Sequence, residues 1–241
     1  MSSDDTKANE SKRKQVRYAV SDDCRLKASI KIRSSDPATA AKDWAGTVVD
    51  ASAEGAHIQT SLGAVAAIGD SCVVTLAHSG LKVELRGSLA HYVCSTRHSV
   101  CGVRFDFSFT GSDKAYQPYF NVIAASSGLV AGQAGSESPK RHREEYTGPG
   151  HAKLVVWREE AGAGATILGF EYTIARFTAT LATAGADMFK NKEQVRFKAA
   201  EGSSPLSKTQ ELDARWEFSL AASNLPKAIA PDIRRLLRLV S

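Results

Sequence analysis

Between Leu26 and Phe107 the chain falls into short runs that alternate apolar and polar residues, each closed by a turn-forming pair. No other feature constrains the fold as strongly. Leu26, Ala28, Ile30 and Ile32 alternate as in a half-buried strand. A polar, Ala-rich loop from Ser34 to Asp43 follows, and Trp44 opens the next strand. Gly46-Thr47-Val48-Val49 runs into an Asp50 loop, and Ala56 to Thr60 returns as the partner strand. Gly69-Asp70 marks a turn before the β-branched run Ser71 to Ala77, Ser79-Gly80 turns into Leu81 to Tyr92, and Ser95 to Ser99 turns into Val100 to Phe107. Short strands at this spacing predict an antiparallel barrel or sandwich. Tyr116 to Ala125 reads as a short helix packed at its end.

Ser126 to Lys140, rich in Gly, Ser and Ala, reads as a linker. Beyond it the order repeats loosely. Arg141 and Arg143 precede Tyr146 as Arg13 and Arg17 precede Tyr18, and His151 to Arg158 alternates like an entry strand. Glu171-Tyr172-Thr173-Ile174-Ala175-Arg176 falls where the Asp50 loop would, and Gly185-Ala186-Asp187 echoes Gly69-Asp70. Strands are expected around Val195–Lys198 and Ala214–Leu220, then an amphipathic helix from Pro231 to Val240. The expected class is therefore all-β, with two six-stranded barrels in tandem, each ending in a short helix.

With 241 residues the chain can bury one large core or two small ones. The net charge of +5 suits an anionic small ligand and is too weak to argue for DNA. No stretch reaches the roughly 18 apolar residues of a membrane span. The polar segment Met1 to Lys14 lacks the apolar region of a secretory signal, and residues 1–12 are expected to be a flexible tail. Cys24, Cys72, Cys94 and Cys101 show no disulfide-framework spacing and fit thiols in a reducing cytoplasm.

Two further clusters carry chemistry. Arg13 and Arg17 stand four apart, and Asp50-Ala51-Ser52-Ala53-Glu54-Gly55 lies about thirty residues downstream. Paired guanidinium forks fit phosphate oxygens or the O6/N7 edge of guanine, and a carboxylate can accept from the opposite edge of that base. Glycine lets backbone approach a ligand closely. The spacing of the arginines is weak evidence alone, since Arg234 and Arg238 repeat it and read there as a solvated helix face. The hexapeptide is more specific.

Arg13-Lys14-Gln15-Val16-Arg17 resembles the RxxxR motif of PilZ domains, Asp50 to Gly55 resembles their [D/N]xSxxG motif, and Gly102-Val103-Arg104-Phe105 resembles their closing strand. That resemblance implies a six-stranded β-barrel that binds the bacterial second messenger cyclic di-GMP, without catalysis and without a cofactor. On it, residues 13–125 are expected to form the PilZ domain, 126–140 the linker and 141–241 a degenerate PilZ-like domain. Arg13, Arg17, Asp50, Ser52 and Gly55 are the expected ligand-binding residues, with weaker contributions from Lys12, Lys14 and Arg104. The arginine segment would close over the nucleotide and change the surface offered to an effector protein in a bacterial cytoplasm, in motility or biofilm control. The second unit departs from the pattern: Arg141 and Arg143 are too close for RxxxR, and Arg176 stands in place of the glycine. It is expected to bind cyclic di-GMP poorly and to pack on the first unit, dimerise or present a partner surface.

Three rival readings compete. His91-x-x-Cys94 and His98-x-x-Cys101 offer four zinc-type ligands, but only three residues separate the pairs and the stretch reads as a hairpin. A nucleic-acid-binding barrel with a basic arm would use Lys12, Arg13, Lys14 and Arg17, yet Asp50 and Glu54 would repel a phosphate backbone there. A PilZ-like adaptor binding no nucleotide is the third. No P-loop, G-x-S-x-G or H-E-x-x-H is present to suggest an enzyme. Trp44, Trp157 and Trp216 read as packing anchors.

Overall fold

The computed structural model describes residues 15–40, 42–61, 65–108, 111–138, 141–162, 164–182, 195–201 and 205–241. The alternating runs form β2 (Lys27–Ile32), β3 (Trp44–Ser52), β4 (Gly55–Thr60), β5 (Ser71–His78), β6 (Leu81–Cys94) and β7 (Ser99–Phe105). These six strands pair in the order β3-β2-β5-β6-β7-β4, and the β3–β4 pairing closes the barrel. A two-residue strand, β1 (Tyr18–Ala19), lies against the end of β3, Tyr18 opposite Ala51 and Ala19 opposite Asp50. One turn of helix, α1 (Pro37–Ala40), sits in the predicted Ser34–Asp43 loop.

Alternation sends Ile30, Ile32, Ile58, Val74, Leu76, Leu85, Leu89 and Val103 inward, where each is almost fully buried. Helix α2 (Ser112–Ser127) plugs one end with Tyr116, Tyr119, Val122 and Ile123, and the Tyr116 ring meets Phe105 edge-on at 4.8 Å. Cys72 and Cys101 are core thiols, and burial raises them to about 12 and about 11. Neither is a thiolate at neutral pH, so both are inert.

The second half is built differently from the expectation. Strands β8 (Val130–Ser138), β9 (Arg141–Thr147), β10 (Lys153–Arg158), β11 (Ile167–Ile174), β12 (Phe177–Ala182) and β13 (Arg196–Ala199) form an antiparallel meander in chain order. Among the described residues β13 and β8 do not pair, so this sheet is open and a second closed barrel is not seen. The stretch read as a linker is instead the end of α2 followed by β8, which pairs with β9. An edge strand exposed along most of its length needs no bulky residues, so a Gly-Ala-Ser sequence can form one.

The strand expected at Ala214–Leu220 is a helix, α3 (Lys208–Ser223), followed by α4 (Pro231–Val240) as predicted. Ala214-Arg215-Trp216-Glu217-Phe218-Ser219-Leu220 does alternate, but the start signal lies upstream. Ser207 accepts from the Gln210 N–H and the Gln210 side chain accepts from the Ser207 N–H, a reciprocal cap that commits the segment to helix. Phe218 then stacks on Phe170 of β11 and meets Phe197 of β13 edge-on, each at 5.9 Å.

The two halves share an interface. Trp216 of α3 donates its indole N–H to the His78 carbonyl at the end of β5 and packs edge-on against Tyr119 of α2 at 4.8 Å. Among the described residues no helix is long and apolar enough to cross a membrane.

Candidate functional site

A polar row crosses the outer wall of the barrel. Asp50 of β3 lies opposite His57 of β4, His57 opposite Gly102 of β7, and Gly102 opposite His91 of β6. Two β-bulges create it. The register skips Val49 between Val48 and Asp50, and Ala90 between Leu89 and His91. Val48 and Leu89 face the core. Strict alternation would turn Asp50 and His91 inward with them; one extra residue in each strand re-aims both to the outside.

Arg17, just before β1, reaches back to this row. Its Nη1 donates to Asp50 Oδ1 at 2.7 Å, while His57 Nδ1 donates to Asp50 Oδ2 at 2.9 Å. Burial pushes the Asp50 carboxyl up, but hydrogen bonds and charge from His57 and Arg17 outweigh it, so the group sits below the usual carboxylate range. Gly102 is the floor between the histidines: a Cβ there would stand 2.9 Å from both His57 Cδ2 and His91 Cβ. The two imidazoles approach to 6.1 Å between centroids above it.

The hexapeptide is tighter than a loop. Asp50 to Ser52 belong to β3, Ala53-Glu54 alone make the turn, and Gly55 starts β4. Ser52 is buried; its Oγ donates to the Gly55 carbonyl at 3.3 Å, and its own carbonyl accepts the Tyr116 hydroxyl at 2.8 Å. In this state Ser52 therefore pins the turn and offers no hydroxyl to the wall. Gly55 is required by packing, because a Cβ would lie 2.1 Å from the Val103 carbonyl oxygen of β7.

Arg104 lies opposite Gly55, exposed on the same wall, and lines the rim of a cleft of about 590 Å³ with Arg33, Arg86, Ser88 and Asp106. Of the expected site residues, the structure brings Arg17 and Asp50 into direct contact and places Arg104 on the same wall, two strands away from Asp50. Lys12, Arg13 and Lys14, like the rest of residues 1–12 and Gly185-Ala186-Asp187, lie outside the described residues.

His57, His91 and Gly102 were missed as site residues. A bulge hides His91, since counting alternate positions from Leu89 points it at the core. Tyr116 was read only as part of a helix, and no local motif marks its bond to Ser52. The metal reading loses its geometry: Cys101 points into the core while His91 faces out, and among the described residues no His, Cys, Asp and Glu cluster could hold a metal ion.

In the second half, Glu171 to Ile174 lie within β11, and Arg176 sits in the turn that follows. Its Nη2 donates to Glu217 Oε1 of α3 at 2.7 Å.

The first wall thus presents a guanidinium, two imidazoles and an ionised carboxylate, with further guanidinium groups at the rim. A planar ligand carrying both anionic groups and N–H donors is what such a surface can hold. In a comparison with protein-family models, the PilZ domain matches residues 11–115, a span that contains every residue of this row. No curated protein matches the chain.

Proposed function

We propose, from the premise that residues 11–115 are a PilZ domain, that the chain is a non-catalytic cyclic di-GMP receptor whose outer barrel wall takes the nucleotide beneath the Arg17 arm. PilZ domains are in general receptors of this kind rather than catalysts. The observation that carries the reading is the Arg17–Asp50 bond, which joins the two motifs on an open wall across 33 residues of sequence.

Asp50 has both oxygens engaged in the ligand-free chain. An ionised carboxylate offers about four acceptor sites, so it can keep His57 and still take the Watson–Crick-edge donors of guanine. Arg17 would then leave Asp50 for a phosphate or the O6/N7 edge. A partly exposed pair of this kind is worth about 1 kcal/mol or less, so opening it is a small cost against a bidentate guanine contact of about 1–3 kcal/mol. Arg13 would supply the second fork, with Lys12 and Lys14 adding field rather than fork geometry. Arg104 would meet the far side of the ligand. Ser52 and Gly55 would act by holding the turn that presents Asp50. The output is a changed surface for an effector protein, set by where the arm lies.

Calorimetry tests this on the full chain with cyclic di-GMP against GMP, cyclic AMP and cyclic di-AMP. Wild type should bind cyclic di-GMP selectively, and Arg17→Ala should weaken binding by roughly tenfold or more. No heat from wild type at millimolar cyclic di-GMP would end this reading and leave an adaptor that binds no nucleotide.

A further inference from the structure

The arm that carries Arg17 is held at its other end by the C-terminal helices. The Ser21 N–H donates to Asn224 Oδ1 at 2.8 Å, and the Arg25 N–H to Ser223 Oγ at 3.4 Å. Asp23 Oδ2 lies 2.9 Å from Arg238 Nη1 and 3.7 Å from Arg234 Nη1. Arg234 and Arg238 are thus not a solvated helix face: the second RxxxR grips the arm that contains the first. Their side chains are only 17% and 29% exposed; Arg234 uses its Nε on the Ile229 carbonyl just before α4 and Arg238 its Nε on the Arg234 carbonyl, which leaves Nη1 of each directed at Asp23.

Asn224 stands where three elements meet. It is 1% exposed and caps α3. Its Oδ1 takes the arm, while its Nδ2 donates to Ser126 Oγ at 2.9 Å and the Ile123 carbonyl at 3.4 Å, both on α2. A buried amide cannot lose one of these partners without leaving a polar group unpaired, so arm, α2 and α3 are tied together. Ser21 is four residues from Arg17, a span of at most about 14 Å, so the point at which Ser21 is pinned sets the part of the wall that Arg17 can reach.

We infer that Asn224, Arg234 and Arg238 form a clasp that positions Arg17 over the nucleotide wall and makes the C-terminal unit the receiver of arm movement. The inference rests on the proposed function for its ligand, and on the arm's geometry alone for its mechanics. Linkage requires the coupling to run both ways: releasing the clasp weakens nucleotide binding, and nucleotide binding alters how tightly α3 and α4 hold the arm.

Two variants of the full chain test it, Asn224→Ala and the surface variant Asp23→Ala, which keeps the test usable if the buried change prevents folding. Freeing the arm adds backbone entropy that binding must remove, so each should raise the Kd for cyclic di-GMP about tenfold. The charge-swapped pair Asp23→Arg with Arg238→Asp should restore it, which a general loss of structure would not allow. Amide exchange of Val20, whose N–H donates to the Val49 carbonyl at 2.9 Å, reports arm seating without ligand and should quicken in both variants. Unchanged affinity in a variant whose Ser21 amide has become exchangeable overturns the inference. If wild type binds no cyclic di-GMP, the proposed function fails by itself; the clasp is then upheld by faster Val20 exchange and refuted by unchanged exchange.

Discussion

Asp50 takes one donor on each oxygen, and that makes it the residue with the clearest titration signature. Its carboxyl lies below its ordinary value because the donors from His57 and Arg17 outweigh the effect of burial. A depressed carboxyl adds stability that is complete above its unfolded value of about 3.9 and is lost as pH falls through its folded value. Wild type should therefore exceed Asp50→Asn in unfolding free energy at about pH 5, and the gap should shrink as pH falls below about 3.9. A gap constant over that range, measured by urea denaturation, would show that the carboxylate's partners do not stabilise the fold. At this scale the sequence was legible where chemistry is local: residue type and spacing singled out Arg17 and Asp50, which lie in direct contact. His91 was not singled out, because its outward aim depends on a bulge, and a bulge is a mismatch between two strands that neither strand records alone; His57 alternates outward on β4, but no motif marks it.

Among the elements, the β3–β4 hairpin has its register set by the missing side chain at Gly55. The 2.1 Å approach of the Val103 carbonyl to the place of a Cβ means that Gly55→Ala must push β4 off β7. The expected loss is about 1–3 kcal/mol of stability, read from the urea midpoint, and any loss of nucleotide affinity should follow from that distortion. A Gly55→Ala protein as stable as wild type but weaker in binding would make the glycine a ligand contact instead. Period-two alternation gave the six barrel strands nearly to the residue, because one face of each is packed on a core. It misread α3, where seven alternating residues mimic a strand and the deciding signal is the Ser207–Gln210 cap. It also passed over β8, whose small residues carry no pattern because neither packing nor burial selects them.

At the scale of the molecule, the halves meet at His78. This imidazole is buried beside Trp216, 6.1 Å between centroids, with Nε2 3.3 Å from Ser219 Oγ and Arg25 as the neighbouring charge. Burial lowers its affinity for a proton, and the Arg25 charge adds to that against an opposing hydrogen bond. A histidine with a depressed folded value favours the folded state fully above its unfolded value of about 6.5 and loses that advantage as pH falls below it. The stability difference between wild type and His78→Gln should accordingly narrow from about pH 7 to about pH 5; a difference independent of pH would show that the interface does not exclude the proton. The barrel half was legible because two motifs and a strand rhythm coincide in it. The joining of the halves was not, since it rests on single bonds between residues far apart, such as Ser21 and Asn224, 203 positions away. That separation has a consequence for the growing polypeptide. The barrel wall is translated early, whereas the amide and guanidinium groups that seat its arm emerge more than about a hundred residues later, so a nascent chain would own a pocket before it could hold anything shut over it.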